Sequence, residues 1–449
     1  MPTILIIGAG KSSTYLIQYL LDTLQPKSRK LLLADLNLET AREKLAGYAD
    51  AEAVALDLQD ASARKQLIQR ADVVISMLPA AMHPLVAKDC LAFGRHFFTA
   101  SYESAEMREW KSTIEEKKLF WLNEMGLDPG LDHLSAMKII DEARAEGNEI
   151  IGFKSFCGGL ICPESPQNPW KYKFTWNPRN VVLAGQGTSR FIRNGRLKYV
   201  PYHMLFRRTE PVHIPGAGDF EAYPNRDSLS YRKVYGLENI PTLLRGTLRN
   251  KGFCRSWDFF VQLGMTDDSF IMDLPEDFTY RQFTNTFLPF HATKTVEEKI
   301  LELLPFADEA LLEQVRWLGL LAHTPMKQRK GSPAMLLQGV LEEKWALGLD
   351  DKDMIVMQHQ FILQRPDGTR LERLSNLVVK GETQERTAMA KTVGLPLAIA
   401  VDLFLDGKIP LIGLHIPVQK EIYLPVLEKI AQAGITFQET TRLLEPAAP

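Results

Sequence analysis

Short apolar runs alternate with longer amphipathic segments over the first 125 residues. Strands are predicted where the apolar runs are too short for a helix, at 3–7, 30–34, 52–56, 72–78, 96–99 and 119–123. Helices are predicted between them, at 12–24, 38–48, 60–69, 84–93 and 103–117. Strands that alternate with helices of this length indicate βαβ units, so we expect a doubly wound parallel sheet of the Rossmann type.

After Gly130 the pattern becomes irregular. Residues 150–260 mix glycine, proline, aromatic residues and arginine, which favours an antiparallel sheet with long loops. Later segments regain periodicity: helices are predicted within 295–350 and at 386–406 and 419–433, and strands at 354–365 and 371–380.

Composition narrows the class of protein. The chain has 449 residues, 45% of them hydrophobic, and a formal net charge of −2, which argues against nucleic acid as a main ligand. The N-terminus is short, apolar and followed at once by glycines, so it predicts a strand and not a signal peptide. Four scattered cysteines indicate neither a disulfide framework nor a metal site. We therefore expect a cytoplasmic protein with a small-molecule ligand, no metal and no membrane association.

The sequence Gly8-x-Gly10-x-x-Ser13 follows the first predicted strand and opens a helix. The first glycine of such a fingerprint permits a tight turn, the second lets the backbone approach a pyrophosphate, and the third position needs a small residue. Asp35 ends the second predicted strand, where a carboxylate binds ribose hydroxyls and repels a 2′-phosphate. The expected cofactor is therefore NAD, with NADP disfavoured.

Five segments, in order along the chain, resemble the L-glutamate-forming branch of the saccharopine dehydrogenase family. They are NEMGLDPGLDH (123–133), SFCGGL (155–160), NPWKYKFTWNPR (168–179), YPNRDS (223–228) and RGTLRNKGFC (245–254). The resemblance implies reversible oxidation of saccharopine with a nicotinamide cofactor and water, which gives glutamate and 2-aminoadipate 6-semialdehyde. Fungal members of the family carry a Cys-Arg pair suited to a 2′-phosphate where this chain has Asp35-Leu36.

The resemblance also implies an α/β architecture in several parts. We expect a Rossmann domain at 1–130 and a substrate-binding α/β domain with a mixed sheet at 131–290 and 350–410. A small helical domain is expected as an insertion at 291–349, and 411–449 as a segment that returns towards the Rossmann domain.

Carried over motif by motif, the resemblance assigns two sets of binding residues. The cofactor is expected to contact Gly8, Gly10, Lys11, Ser12, Ser13, Asp35, Asp57, Leu58, Met77, Leu78, Thr99 and Ala100. The substrate is expected to contact Ser101, Tyr102, Asp128, Arg226, Thr247, Leu248 and Arg249.

The chemistry of saccharopine fits part of this set. Three carboxylates call for guanidinium groups, and Arg226 and Arg249 suit that role, although Arg226 could instead pair with Asp227. Oxidation of the amine requires a proton acceptor, for which Asp128, Tyr102 and Cys157 are all candidates. The residue patterns do not choose among the three.

Two other functions remain open at this stage. One is a related imine-reducing dehydrogenase of amine metabolism, of the carboxynorspermidine type. The other is a dinucleotide-binding regulatory protein without catalysis. The physiological direction of the reaction and the oligomeric state, with a homodimer as one option, are also left open by the sequence.

Overall fold

A computed structural model describes residues 1–445 of the chain. The residues divide into two compact units. The first unit contains Met1–Ile150, Val234–Leu237 and the chain from Phe361 onward, and the second contains Ile151–Lys233 and Glu238–Gln360.

The chain up to Ile150 alternates strands and helices. The strands are β1 (Thr3–Ile7), β2 (Lys30–Asp35), β3 (Ala51–Ala55), β4 (Val73–Ser76), β5 (His96–Thr99) and β6 (Phe120–Leu122). The helices are α1 (Thr14–Thr23), α2 (Leu38–Leu45), α3 (Ala61–Gln69), α4 (His83–Phe93), α5 (Ala105–Glu109), α6 (Lys111–Glu116) and α7 (Leu131–Ala145). Short 3-10 helices at Lys11–Ser13 and Ala80–Met82 precede α1 and α4.

The middle of the chain is richer in strands and short helices. The strands are β7 (Glu149–Ile161), β8 (Ser189–Arg193), β9 (Arg196–Val200), β10 (Glu210–Ile214), β11 (Gly218–Pro224), β12 (Leu243–Asn250), β13 (Met272–Asp273), β14 (Lys330–Gly331) and β15 (Asp353–Gln364). The helices are α8 (Pro178–Val182), α9 (Tyr202–Leu205), α10 (Tyr231–Val234), α11 (Phe253–Leu263), α12 (Tyr280–Thr286), α13 (Val296–Leu303), α14 (Glu309–Leu318) and α15 (Pro333–Lys344).

The C-terminal part returns to longer elements. They are β16 (Arg370–Lys380), α16 (Ala388–Leu405), β17 (Gly413–His415), α17 (Lys420–Gln432) and β18 (Gln438–Leu443). Helix α16 is long and apolar enough to cross a membrane, yet 78% of that span is buried inside the protein. Its composition is therefore that of a core helix.

The first sheet is parallel, in the order β17-β6-β5-β4-β1-β2-β3. Its central strands are apolar on both faces: the side chains of Ile4, Leu5 and Ile6 are fully buried, as expected for a sheet covered by helices. Asn37 caps α2 and Asp60 caps α3 by accepting hydrogen bonds from backbone amides of the first turn. The carboxyl ends of these strands meet at one edge, where open α/β sheets bind ligands.

The second sheet is mixed, in the order β10-β11-β12-β7-β15-β16-β18, with β8 paired to β12 and β9 to β8. Strand β12 runs parallel to β7 and antiparallel to β11. This register places Thr247 beside both Cys157 and Tyr223.

The predicted fold class is confirmed: an N-terminal parallel sheet, a mixed second sheet and helices. Details differ from the sequence prediction. The helix expected at 103–117 is two helices that meet at Trp110, and β17 and β18 were not predicted. The domain boundaries also differ, because α7, β16 and α16 all lie in the first unit and not in a separate substrate domain.

Candidate active site

The glycine turn joins β1 to the 3-10 helix that precedes α1. Gly8 has a φ of +108°, and a Cβ there would lie 2.8 Å from the Met77 carbonyl oxygen, so only glycine fits. A Cβ on Gly10 would meet nothing within 4 Å. Ser13 is buried, and its hydroxyl donates to the Gly10 carbonyl at 2.7 Å. Open space in front of Gly10, beside the first amides of a helix, fits a pyrophosphate.

Most other predicted cofactor residues of the first unit lie at the ends of neighbouring strands. Met77 and Leu78 follow β4 and are half-buried, and the Met77 amide donates to Ile7 at 2.9 Å. Thr99 ends β5, and its hydroxyl donates to the Ser76 carbonyl at 3.0 Å. Lys11 and Ser12 occupy the turn itself, with Lys11 exposed and Ser12 half-buried.

Asp57 and Leu58 follow β3. The exposed Asp57 accepts a hydrogen bond from the Gln59 amide at 2.9 Å, and the Leu58 carbonyl accepts one from Arg64. Asp57 thus organises a local turn, and its contact with the cofactor stays a prediction.

Asp35 is held by the backbone. One carboxylate oxygen accepts from the Ala9 amide at 2.7 Å and the other from the Asn37 amide at 2.9 Å. Both bonds fix the glycine turn to the β2–α2 connection. The carboxylate expected to bind ribose hydroxyls thus also holds the turn, and each oxygen keeps a lone pair for a further donor.

Lys44 of α2 is a cation that sequence reasoning missed at this place. Its ammonium donates to the Gly10 carbonyl at 2.9 Å and to the Thr14 hydroxyl at 3.1 Å. Burial lowers the pKa of Lys44, while the carboxylates of Asp35 and Glu385 oppose that shift. By contrast Arg42, the first cation after Asp35, is exposed and paired with Glu39 at 2.6 Å.

The loop that carries Asp128 joins β6 to α7 and folds back on itself. The Gly126 amide donates to the Pro129 carbonyl at 3.0 Å, and a Cβ on Gly126 would lie 3.0 Å from the Ala100 Cβ. The Glu124 amide donates to the Ser101 carbonyl at 2.9 Å. The structure therefore brings the half-buried Asp128 loop against the segment after β5, which contains Ala100 and Ser101.

Ser101 belongs to a hydrogen-bonded chain through His83. Nδ1 of His83 lies 2.8 Å from the Ser76 hydroxyl, and Nε2 lies 2.6 Å from the Ser101 hydroxyl. Burial lowers the pKa of His83 to about 4, so the imidazole is neutral near pH 7. Tyr102, the next residue, has 38% of its surface exposed.

A second buried chain approaches the same segment. Glu124 accepts from the Glu103 amide at 3.2 Å and contacts Nε2 of His133 at 2.9 Å. Nδ1 of His133 in turn contacts the Tyr235 hydroxyl at 2.7 Å. These residues are at most 5% exposed, so they hold the backbone of 101–103 from inside the first unit.

In the second unit, two of the predicted substrate residues, Thr247 and Arg249, lie on one face of β12. Arg245, Thr247 and Arg249 alternate along the strand and so share a face. Cys157, a candidate base, is 6% exposed and lies beside Thr247 on β7. Leu248 points to the opposite face, and a Cβ on Gly158 would lie 2.7 Å from its carbonyl oxygen. Gly158 thus allows close packing of β7 against β12, and an approach of a ligand to this segment stays a prediction.

Arg249 is a buried cation surrounded by aromatic rings. It is 4% exposed, and its guanidinium lies 5.3 to 5.7 Å from the ring centres of Tyr172, Phe253 and Tyr223. Its hydrogen bonds go to the Leu248 carbonyl and, at 3.5 Å, to the Tyr223 hydroxyl. Among the ion pairs of residues 1–445 none involves Arg249. A buried cation without a carboxylate is costly, and a bound anion would offset that cost.

Arg226, unlike Arg249, lies at the surface. It is exposed, has a φ of +43°, and its carbonyl accepts from the Arg190 amide at 2.8 Å. Asp227, the neighbour considered as its partner, forms an ion pair with Arg190. Arg226 lies close enough to Tyr223 to lower the pKa of that phenol, against the larger raising effect of burial.

Sequence reasoning did not assign several residues that lie beside the predicted cofactor and substrate residues. Arg245 is 7% exposed and stacks 4.0 Å over the ring of Tyr231; strand alternation in RGTLR could have indicated it. From the sequence, His83 and His133 could each donate a hydrogen bond at the site, but a lone histidine is more often structural, so neither was assigned to it. Within residues 1–445, no group of three or more His, Cys, Asp or Glu side chains is placed to hold a metal ion.

Two family models match this chain. The saccharopine dehydrogenase NADP binding domain matches residues 4–123, and the saccharopine dehydrogenase C-terminal domain matches residues 126–435. These matches and the relatives below confirm the predicted family resemblance.

Curated relatives fall into two size classes. Saccharopine dehydrogenase [NADP(+), L-glutamate-forming] of Schizosaccharomyces pombe is 31% identical over 98% of this chain and 99% of its own length. Alpha-aminoadipic semialdehyde synthase, mitochondrial, of Bos taurus is 35% identical over 98% of this chain but only 48% of its own length. The chain thus spans about half the length of the mammalian relatives.

The prediction of NAD as the cofactor is contradicted by these comparisons. The matching model is that of an NADP binding domain, and the fungal relatives are named as NADP(+) enzymes. In the structure Asp35 is not the only charged side chain beside the turn, because the Lys44 ammonium also contacts it. Asp35 alone is therefore a poor guide to cofactor choice.

Solved structures agree with the family models. The apo saccharopine dehydrogenase (L-Glu forming) of Saccharomyces cerevisiae superposes with a TM-score of 0.88 at 32% identity, covering 98% of this chain and 100% of that one. A homospermidine synthase from Legionella pneumophila has a TM-score of 0.55 at 10% identity, which shows a shared fold alone. With two family models that together span residues 4–435 and relatives that match over their full length, this chain belongs to the saccharopine dehydrogenase family.

Proposed function

We propose that this chain oxidises saccharopine with NADP⁺ and water, and that it releases glutamate, 2-aminoadipate 6-semialdehyde, NADPH and a proton. The fungal relatives of full length carry this activity in their names. The observation that carries the proposal within this chain is Arg249, a buried cation with no carboxylate partner among the described residues. A substrate carboxylate is the anion that suits it.

The glycine turn is proposed to hold the dinucleotide. Space in front of Gly10 and the amides of the following helix fit the pyrophosphate, and Met77, Leu78, Thr99 and Ala100 would flank the nicotinamide. When bound, the nicotinamide accepts a hydride from the substrate carbon that becomes the aldehyde.

This chain's own residues would bind the substrate and move its proton. Arg249, Arg226 and Thr247 are proposed to hold carboxylates, with Ser101 and Tyr102 as further contacts. Removal of hydride leaves an iminium, water adds to its carbon, and the C–N bond then breaks to release glutamate. The proton that leaves during these steps needs an acceptor, for which Asp128, Tyr102 and Cys157 stay the candidates.

The test is to incubate the purified chain with saccharopine and NADP⁺ and to measure reduced nucleotide by fluorescence and glutamate separately. We expect the two products in a one-to-one ratio. Secondary amines that lack carboxylates serve as the comparison. Turnover of such amines without turnover of saccharopine would instead place the chain with the imine-reducing dehydrogenases of amine metabolism.

Location and assembly are not part of this test. The bovine relative is named as mitochondrial, and for this chain the cytoplasm and a homodimer stay predictions. Sedimentation of the purified protein would show whether it is a homodimer.

A further inference from the structure

The segment after β5 is fixed in its backbone before any side chain contacts a ligand. The Ser101 amide donates to the Thr99 hydroxyl at 3.2 Å, and the Ser101 carbonyl accepts from the Glu124 amide at 2.9 Å. The Glu103 amide donates to the Glu124 carboxylate at 3.2 Å. The position of Ser101 is thus determined by the backbone, and the direction of its hydroxyl is the freedom that remains.

His83 removes that freedom. It begins α4 and is 3% exposed, and its ring contacts Ser76 on one side and Ser101 on the other. A neutral imidazole has one N–H donor and one acceptor nitrogen. One serine must therefore donate to the ring while the other accepts from it, and the three groups form a chain with a single direction.

An anionic ligand selects the direction of this chain. If Ser101 donates its hydrogen to a carboxylate, its oxygen is free to accept from Nε2–H, and Nδ1 then accepts from the fully buried Ser76 hydroxyl. Every donor in this arrangement has an acceptor. In the opposite arrangement the Ser101 hydrogen points at Nε2, and only oxygen lone pairs would face a carboxylate, which they repel.

We propose that His83 is a positioning residue, which turns the Ser101 hydroxyl so that it donates a hydrogen bond to a carboxylate of the substrate. The inference rests on the proposed oxidation of saccharopine and adds a residue that does not itself contact the substrate. Because Ser76 and His83 flank the Met77–Met82 connection, the alternative is that His83 only holds that connection in place, which would affect the cofactor first.

Two amide substitutions separate these roles. The glutamine amide of His83→Gln reaches towards the position of Nε2 and so towards Ser101, whereas the shorter amide of His83→Asn reaches that of Nδ1 and so Ser76. Expected for His83→Asn is a rise of about tenfold in the KM for saccharopine, the effect of one lost hydrogen bond to a charged group, with the Kd for NADPH unchanged. His83→Gln should recover most of the lost affinity.

Ser101→Ala and the double variant His83→Asn/Ser101→Ala complete a cycle. If His83 acts through the Ser101 hydroxyl, the double variant binds saccharopine no worse than Ser101→Ala alone. His96→Asn is the control for another histidine of the first unit: the half-buried His96 accepts a hydrogen bond from the Phe120 amide at 3.0 Å, and the KM of this variant should equal that of the parent.

The outcomes are distinct. Additive losses in the double variant, an unchanged KM in His83→Asn, or a weakened NADPH Kd in both His83 variants would each overturn the inference while leaving the proposed function intact. A parent that binds NADPH but does not oxidise saccharopine would overturn both. If His83→Asn fails to fold, His83→Phe, which keeps a ring of similar size and removes both nitrogens, takes its place in the cycle with the same expectations, and a KM equal to that of the parent there would count against the inference.

Discussion

At the scale of single residues, the two glycines of the turn are required for different reasons, Gly8 for the fold and Gly10 for the proposed nucleotide site. A Cβ on Gly8 would lie within 2.8 Å of a backbone oxygen, whereas one on Gly10 would lie in open space. We expect Gly10→Val to unfold at the same denaturant concentration as the parent and to lose nucleotide binding, because its methyl groups occupy the space proposed for the pyrophosphate. Gly8→Ala should lower the free energy of unfolding by about 1–3 kcal/mol. Titration calorimetry with NADPH and denaturant melts check both; tight nucleotide binding by a folded Gly10→Val would contradict the placement.

Arg249 gives a prediction in which binding and stability move apart. Arg249→Met should weaken saccharopine binding by roughly 1.5–3 kcal/mol, since a charge-assisted contact is lost. The free energy of unfolding should stay equal or rise, because an unpaired buried cation is replaced by an apolar side chain among aromatic rings.

The matched control for that variant is Arg255→Met. Arg255 is half-exposed and paired with Asp308 at 2.5 Å, so both quantities should remain close to those of the parent. Chemical denaturation and saccharopine titration measure them. A large loss of stability in Arg249→Met would mean that the arginine serves the core and not the substrate.

His83 predicts a dependence of stability on pH. Its pKa falls from about 6.5 in the unfolded chain to about 4 in the folded protein, so the unfolded chain binds the extra proton between these values. The free energy of unfolding is therefore fully retained above pH 6.5 and decreases as pH falls towards 4, by about 3 kcal/mol from this group. The difference between the parent and His83→Gln, melted at several pH values, isolates the contribution; parallel curves would show that the imidazole is not desolvated.

At the scale of elements, α1 and α16 approach so closely that one residue limits the contact. A Cβ on Gly394 of α16 would lie 2.9 Å from the Leu16 amide nitrogen and 3.3 Å from the Ser12 carbonyl oxygen. Gly394→Ala should push α1 away, lower the free energy of unfolding by about 1–3 kcal/mol and weaken NADPH binding, because α1 follows the glycine turn. Gly10→Ala, with open space at its Cβ, is the control for stability. Unchanged melting of Gly394→Ala would show that the helices separate freely.

The same scale explains which elements the sequence revealed. Strands β1, β2 and β4 were predictable because each is a short apolar run closed by a turn signal, and both features are local. Strand β17 was not, because Gly413–His415 is only three residues long and is defined by its pairing with β6, nearly three hundred residues earlier. Helix α7 was not predicted, because the pattern becomes irregular after Gly130 and the boundary was set there, although the chain continues in the first unit.

The site follows the same division between local and distant signals. Gly8, Gly10 and Ser13 lie close together in one motif. In RGTLR, Arg245 and Arg249 are four residues apart and so share one face of a strand. Both features could be recognised in the sequence. Lys44 acts nine residues after Asp35, by folding back from α2 to the turn. The hydrogen bonds of His83 and His133 join residues of different elements. Such contacts leave no periodic pattern in the sequence.

At the scale of the whole molecule, the residues proposed for the cofactor and those proposed for substrate carboxylates mostly belong to different units. Ligand binding stabilises the amides it protects by RT ln(1 + [L]/Kd), about 2.7 kcal/mol at a hundredfold excess over Kd. Hydrogen exchange should therefore report each ligand separately.

We expect NADPH alone to slow exchange at 8–14, 77–79 and 99–103 in the first unit. Glutamate alone, as a product with two of the carboxylates, should slow exchange at 223–226 and 246–249, and this effect should vanish in Arg249→Met but persist in Arg255→Met. Protection of β11 and β12 by NADPH alone, or by glutamate in Arg249→Met, would mean that the carboxylates bind elsewhere and that the assignment of Arg249 is wrong.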